Sequence, residues 1–143
     1  MHYISVNNTL KMEELKIVIA EDDADDQNMM QEAISEIDAQ KVAAKFIVSG
    51  GETWDYLSSL KQSELPDIII LDLNIPLIDG ISVLKNIKLS ETLKSIPVYI
   101  LTTSNKLDDV RKCTALGCVK YYVKPFSRKD IKAMMKEILA PRK

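Results

Sequence analysis

From Lys16 onward the chain alternates five short apolar runs with five amphipathic stretches, and this alternation limits how it can fold. The apolar runs predict β-strands at residues 16–20, 44–48, 67–71, 98–101 and 119–122. The amphipathic stretches predict α-helices at residues 25–37, 51–61, 80–89, 107–116 and 128–139. Because each strand is followed by a helix and crossovers are right-handed, we expect a parallel sheet with helices on both faces.

The length of 143 residues fits one domain. We expect that domain at residues 15–140, after an N-terminal extension over residues 1–14 and before a tail over residues 141–143. A hydrophobic content of 46% favours a folded globular chain over a disordered one. The two cysteines, Cys113 and Cys118, are too few for a disulfide framework, and we expect them to be small buried apolar residues.

Charge and hydropathy point away from nucleic-acid and membrane partners. The formal net charge of -2 gives the chain no general attraction to nucleic acid or to an anionic membrane. The apolar runs are much shorter than a membrane span, and the first residues lack the basic segment and apolar core of a secretory signal. We therefore expect a cytoplasmic protein that binds neither DNA nor a membrane directly.

Charged residues directly follow three of the predicted strands. Glu21 and Asp22 follow the first, Asp72 follows the third, and Lys124 follows the fifth. Because the carboxyl ends of parallel strands share one edge, we expect these residues to converge there. Two carboxylates ~4 Å apart repel by about 4 kcal/mol at an effective dielectric near 20, so a divalent cation among them is expected. Ligands that are all oxygen suit Mg²⁺.

The acids at residues 21–26 have two possible explanations, a helix N-terminus and a site at the sheet edge. The preference for negative charge at a helix N-terminus explains Asp25 and Asp26. It explains Glu21 and Asp22 poorly, because they follow a buried strand and should point into the crevice at the sheet edge. Asp23 fits either explanation.

Asp72 ends the most apolar strand and precedes a predicted tight loop. A carboxylate in that position can act as a nucleophile toward phosphorus and form an acyl phosphate. We expect Asn74 to present its backbone carbonyl to the cation and Lys124 to offer its charge to phosphate. Thr102, at the end of another strand, offers a hydroxyl donor.

In combination, these motifs resemble the receiver domain of two-component response regulators across residues 16–139. The motifs are Glu21-Asp22, Asp72-Leu73-Asn74-Ile75-Pro76 with Asp79-Gly80, Leu101-Thr102-Thr103 and Lys124-Pro125-Phe126. The resemblance implies an α/β, doubly wound, flavodoxin-like fold with five helices and a five-stranded parallel sheet in the order 2-1-3-4-5. Residues 24–27 and 101–104 look closest to stand-alone receivers, some of which are associated with phytochrome-type sensor kinases.

The resemblance implies that Asp72 accepts a phosphoryl group from a histidine kinase or a histidine phosphotransfer protein. Asp22 would bind Mg²⁺ directly and Glu21 through water, with Asp72 and the Asn74 carbonyl completing the protein ligands. The protein would then be a switch, and would catalyse only its own phosphorylation and dephosphorylation.

Other positions of the motif would handle the phosphoryl group itself. Thr102 and Lys124 would hold its oxygens, and the Lys124–Pro125 peptide bond would be cis. Asn74 and Ser104 would flank the path of the hydrolytic water and tune the lifetime of the phosphorylated state.

The resemblance also implies how a signal would leave the site. Phosphorylation would pull Thr102 inward, and Tyr121 would rotate into the vacated space. The surface formed by helix 107–116, the last strand and the last helix would then change. We expect it to bind a downstream protein partner, or a second copy in a homodimer through this helix-strand-helix face.

Two alternatives remain from the sequence. A pseudo-receiver scaffold would work without phosphorylation, although such proteins usually lack one of the acids, the Thr or the Lys. An Mg²⁺ phosphatase with an aspartyl nucleophile usually has a second Asp two residues later, and here that residue is Asn74.

Overall fold

The computed structural model describes residues 14–37 and 41–140. The strands are β1 (Glu14–Ala20), β2 (Lys41–Ile47), β3 (Ile68–Leu71), β4 (Val98–Thr102) and β5 (Lys120–Val123). They form one parallel sheet in the order β2-β1-β3-β4-β5, which confirms the predicted fold class. The expected extension and tail lie outside the described residues, except that Glu14 is the first residue of β1.

The five predicted helices are present. They are α1 (Ala24–Ser35), α2 (Gly50–Ser58), α3 (Gly80–Leu89), α4 (Leu107–Ala115) and α5 (Arg128–Ile138), with a 3₁₀ turn at Gln62–Glu64. Helices α1 and α2 end two and three residues before the prediction. Their last turns tighten into i→i−3 hydrogen bonds, from Glu36 N to Ala33 O and from Ser59 N to Tyr56 O, which stop the α-helical pattern.

Polar caps explain why four of these helices begin where they do. The side chains of Asp23, Ser49, Asp79 and Ser127 each accept a backbone N–H from the first turn. Helix α4 follows Lys106, whose side chain makes no such bond.

The sheet separates two apolar cores. Ile69 and Leu71 of β3 face the core beneath α2, α3 and α4, whereas Ile68 and Ile70 face the core beneath α1 and α5. All four β3 side chains are buried, as expected for a central parallel strand covered on both faces. The predicted burial of Cys113 is confirmed, and Cys118 packs half-buried against the same core.

The start of α2 and the β3–α3 loop are in close contact at the carboxyl edge of the sheet. The Gly50 N–H donates to Pro76 O at 3.0 Å, and a Cβ on Gly50 would lie 1.6 Å from Ile78 O. A Cβ on Gly80 would lie 2.4 Å from Asp72 O. These approaches need glycine, and they hold the β3–α3 loop against the end of β3.

No helix within residues 14–37 and 41–140 is long and apolar enough to cross a bilayer.

Candidate functional site at the carboxyl edge of the sheet

Backbone hydrogen bonds that continue past the strand ends fix the positions of three charged residues. Glu21 N donates to Ile47 O at 2.9 Å, and Asp72 N donates to Ala20 O at 3.0 Å. Lys124 N donates to Thr102 O at 2.7 Å. The first residue after β1, β3 and β5 is therefore held in the sheet plane, and the side chains emerge at one edge.

The Lys124 ammonium lies among three carboxylates, and we refer to Lys124, Glu21, Asp26 and Asp72 as the lysine cluster. Lys124 Nζ is 2.6 Å from Glu21 Oε1, 2.7 Å from Asp26 Oδ2 and 3.0 Å from Asp72 Oδ2. The side chains of Lys124, Glu21 and Asp72 are 7%, 1% and 6% exposed, so the cluster is largely removed from water. The structure thus brings together Glu21, Asp72 and Lys124, which the sequence predicted to converge.

Sequence reasoning missed Asp26. This residue lies in the first turn of α1, where a favourable interaction with the helix N-terminus already explained its charge. In the structure the cap belongs to Asp23, which accepts from Asp25 N at 3.2 Å, and the Asp26 side chain turns to Lys124. The available signal was the surplus of acids, because residues 21–26 contain more of them than one helix start needs.

Three carboxylates of this edge form a group that can hold a divalent cation. Ligand oxygens of Glu21, Asp22 and Asp72 all lie within 4.8 Å of one another, with Asp22 exposed. Glu21 Oε1 is buried, and the Lys124 ammonium contacts it at 2.6 Å. The all-oxygen donor set of these three acids suits Mg²⁺ or Mn²⁺.

Burial and neighbouring charges shift the pKa values of Glu21 and Lys124. Desolvation raises the pKa of Glu21 from its ordinary 4.5 to about 7, although Lys124 opposes this shift. Burial alone would lower the pKa of Lys124, but hydrogen bonds to Asp26, Glu21 and Asp72 outweigh it and raise that pKa. The Lys124 ammonium therefore stays charged, while the raised pKa of Glu21 shows that its bare carboxylate is disfavoured and that a proton or a cation would stabilise it.

The remaining predicted site residues lie on the loop that follows Asp72, at the end of β4 and on β5. Asn74 N donates to Asp72 Oδ1 at 3.0 Å, and Asn74 Nδ2 donates to Thr103 Oγ1 at 3.4 Å. Thr102 is fully buried at the end of β4. The ligand role of the Asn74 carbonyl and the phosphate-binding role of Thr102 stay predictions.

Ser104 connects Thr102, Tyr121 and helix α4. Ser104 N donates to Thr102 Oγ1 at 3.4 Å, and Ser104 O accepts from the Tyr121 hydroxyl at 2.8 Å. The Ser104 hydroxyl donates to Asp109 Oδ2 at 2.6 Å. Sequence reasoning missed Asp109, because no periodicity shows which acid of an exposed helix turn reaches a neighbouring loop. Tyr122 packs against the core on the other face of the sheet from Tyr121, because successive residues of a strand point to opposite faces.

The expectation of a cis Lys124–Pro125 bond is wrong for this structure. None of the peptide bonds within the described ranges is cis. The trans form is the more stable isomer of an X–Pro bond by about 0.5–1 kcal/mol, and here the Lys124 side chain reaches Asp72 without the cis isomer.

The family model of the response regulator receiver domain matches residues 17–136. This chain belongs to the response regulator receiver family. Response regulator Rcp1 of Synechocystis sp. is 34% identical over 124 residues, which cover 85% of this chain and 84% of that protein. The probable methanogenesis regulatory protein FilR2 of Methanothrix harundinacea is 45% identical over 74 residues, 52% of this chain and 48% of FilR2. The match with FilR2 thus spans about half of that relative.

Solved receiver structures superpose closely on this one. The phosphorylated cyanobacterial phytochrome response regulator RcpA has a TM-score of 0.81 at 32% identity, covering 88% of this chain and 91% of that chain. The Mn²⁺-bound form of Rcp1 has a TM-score of 0.80 at 31% identity, covering 87% of this chain and 91% of that one. The predicted likeness to stand-alone receivers related to phytochrome signalling is confirmed.

Proposed function

We propose that this receiver accepts a phosphoryl group on Asp72 from a sensor histidine kinase or a histidine phosphotransfer protein. The observation that carries the proposal is the 3.0 Å contact between Asp72 Oδ2 and the Lys124 ammonium, beside the three-acid group of Glu21, Asp22 and Asp72. A nucleophile, a fixed positive charge and a set of oxygen ligands for a metal are the parts that phosphoryl transfer needs.

Each of these residues has a separate task in the transfer. Asp72 forms a new P–O bond while the P–N bond of the donor phosphohistidine breaks, and the imidazole leaves with the electron pair. Mg²⁺ held by Glu21, Asp22, Asp72 and the Asn74 carbonyl would neutralise charge on the phosphoryl oxygens. Lys124 offers a second positive charge to these oxygens. Water later hydrolyses the acyl phosphate, and Asn74 and Ser104 tune how quickly.

The conformational switch begins when the Thr102 hydroxyl turns from Ser104 N to bind a phosphoryl oxygen. Because Ser104 also accepts from the Tyr121 hydroxyl, a shift of this loop frees Tyr121 to move. The surface of α4, β5 and α5 changes with it. A downstream protein, or a second copy of the chain, recognises that surface. The receiver occupies residues 15–140, together with Glu14 at the start of β1, and works in the cytoplasm. If the donor is a kinase, the similarity to the phytochrome response regulator RcpA favours a phytochrome-type one.

Intact-mass measurement after incubation with Mg²⁺ and acetyl phosphate tests this function. We expect a hydroxylamine-labile adduct of one phosphoryl group, and none in Asp72→Asn. Asp67→Asn is a matched control, because Asp67 directly precedes β3 at the opposite edge of the sheet, where its side chain accepts from Lys16 N at 2.8 Å. This variant should still form the adduct.

Two other results would contradict the proposal. A wild-type protein that forms no adduct would be a scaffold that works without phosphorylation. Steady turnover of a generic phosphomonoester such as p-nitrophenyl phosphate, lost in Asp72→Asn, would show the phosphatase instead.

A further inference from the structure

Asp26 is a member of the lysine cluster that the three-acid metal group does not contain. Lys124 Nζ contacts Glu21, Asp26 and Asp72 at 2.6, 2.7 and 3.0 Å. Two of these acids, Glu21 and Asp72, also belong to the group that can hold a divalent cation, and Asp26 does not. Among the described residues, Asp26 is therefore the ammonium's one ion-pair partner that a metal would leave in place.

A divalent cation and the ammonium compete for two of the same carboxylates, Glu21 and Asp72. Cations this close repel each other, so the ammonium loses most of its ion pairing with Glu21 and Asp72 when the metal group is filled. The Lys124 side chain is 7% exposed, and a buried ammonium without a carboxylate partner is strongly unfavourable. Lys124 consequently needs an acid outside the metal group.

Helix α1 offers that acid from a fixed position. The helix is anchored on the sheet by Met30, Ala33 and Ile34, which are buried in the core beneath α1 and α5. The capping bond in its first turn comes from Asp23, so the Asp26 carboxylate is available to Lys124. The Asp26 side chain is 16% exposed, which makes it the most hydrated acid of the lysine cluster.

We propose that Asp26 is a positioning residue that holds the Lys124 ammonium while a divalent cation occupies Glu21, Asp22 and Asp72. Asp26 thereby lets the metal and the ammonium stand beside Asp72 together. This inference rests on the metal site of the proposed function, but it concerns a residue outside that site.

Titration of the unphosphorylated full-length protein with Mn²⁺, with free Mn²⁺ measured by electron paramagnetic resonance, tests the inference without any phosphoryl transfer. Asp26→Asn should raise the Mn²⁺ dissociation constant about tenfold, a coupling typical of groups in direct contact, because the ammonium then stays on Glu21 and Asp72. Asp25→Asn is the matched control. Asp25 is adjacent to Asp26 in the sequence, and its side chain is exposed. Asp25→Asn removes the same charge, and should change the Mn²⁺ dissociation constant less than about twofold.

A second background separates this role from a simple effect of charge. In Lys124→Gln no ammonium needs a partner, so adding Asp26→Asn should weaken Mn²⁺ binding no more than adding Asp25→Asn does. A tenfold loss that persists in Lys124→Gln would overturn the inference, because Asp26 would then act on the metal itself. Equal effects of Asp26→Asn and Asp25→Asn in the wild-type background would overturn it too.

Failure of the underlying metal site looks different. If neither the wild-type protein nor Lys124→Gln binds Mn²⁺, the three-acid group is not a metal site, and both the proposed function and this inference are overturned. Circular dichroism of Asp26→Asn without metal checks that the variant is folded. Should it not fold, Asp26→Ser, which also lacks the carboxylate, replaces it with the same expected result.

Discussion

Two charged clusters in the described part of the molecule both pair acids with cations, but the pKa values of their carboxyl groups shift in opposite directions. On the outside, Arg128 and Lys132 of α5 pair with Glu32 and Glu36 of α1, and their hydrogen bonds lower the pKa of both glutamates. At the sheet edge, Glu21 also lies beside a cation, yet desolvation raises its pKa. Closeness to a positive charge therefore does not decide the protonation state of a carboxyl here; exposure to water does.

This difference separates a structural role from a functional one. Exposed ion pairs contribute little to stability and are screened by salt. A buried cluster with three acids around one ammonium is unfavourable for folding, since desolvation of the charges is only partly repaid. We infer that the lysine cluster is kept for its chemistry, whereas the α1–α5 pairs orient two helices.

The largest expected effect comes from removing the central ammonium. Lys124→Met leaves buried carboxylates without a cation, and should lower the free energy of unfolding by about 3 kcal/mol in the absence of divalent ions. Lys132→Met removes an ammonium from the exposed ion pairs between α1 and α5, and should lower the free energy of unfolding far less. Urea denaturation at about pH 8 measures both. Equal losses would remove the distinction between the two clusters.

A smaller effect should appear in the pH dependence of stability. The folded pKa of Glu21, about 7, lies above its ordinary 4.5, so on raising the pH the unfolded chain gives up this proton first. The Glu21 contribution to the free energy of unfolding should therefore fall by roughly 2 kcal/mol between about pH 4.5 and 7. In Glu21→Gln this loss should be absent.

Glu32 contributes to the pH dependence of stability with the opposite sign, so Glu32→Gln serves as the control for the pH experiment. Because the pKa of Glu32 is lowered in the folded protein, its contribution is present above the ordinary pKa and is lost as the pH falls. Urea midpoints of the wild type and both variants across this range test the assignment. A wild type and Glu21→Gln with parallel pH curves would contradict it.

Salt should produce the smallest effect. Arg128→Met breaks the exposed pair with Glu32, and its slight destabilisation should vanish when NaCl is raised from about 0.05 to 1 M. The deficit of Lys124→Met should survive the same change, because buried charges are screened far less. Thermal melts of the two variants at both salt concentrations show whether the ordering holds.

The sequence was most informative where one physical rule acted alone. The positions of Glu21, Asp72 and Lys124 followed from strand ends in a parallel sheet, and the buried β3 from its unbroken apolar run. Asp26 was missed because the helix N-terminus was a sufficient explanation of its charge, and only the rotamer reveals its partner. The contact of Ser104 with Asp109 is likewise a choice of side-chain direction, which residue type and spacing do not determine.

Element ends were predicted less well than element centres. Strand β2 begins at Lys41, three residues before the prediction, since an edge strand pairs on one side and its outer residues need not be apolar. The isomer of the Lys124–Pro125 bond could not be worked out from residue type either, because the two forms differ by only about 1 kcal/mol.

The close approach of Gly50 to Ile78 ties the first turn of α2 to the loop after Asp72, so that neither can move without the other. Grafting the loop of another receiver onto this scaffold would fail unless the matching turn were carried over with it. Gly50 bears no charge, yet a substitution there would displace the loop that follows Asp72.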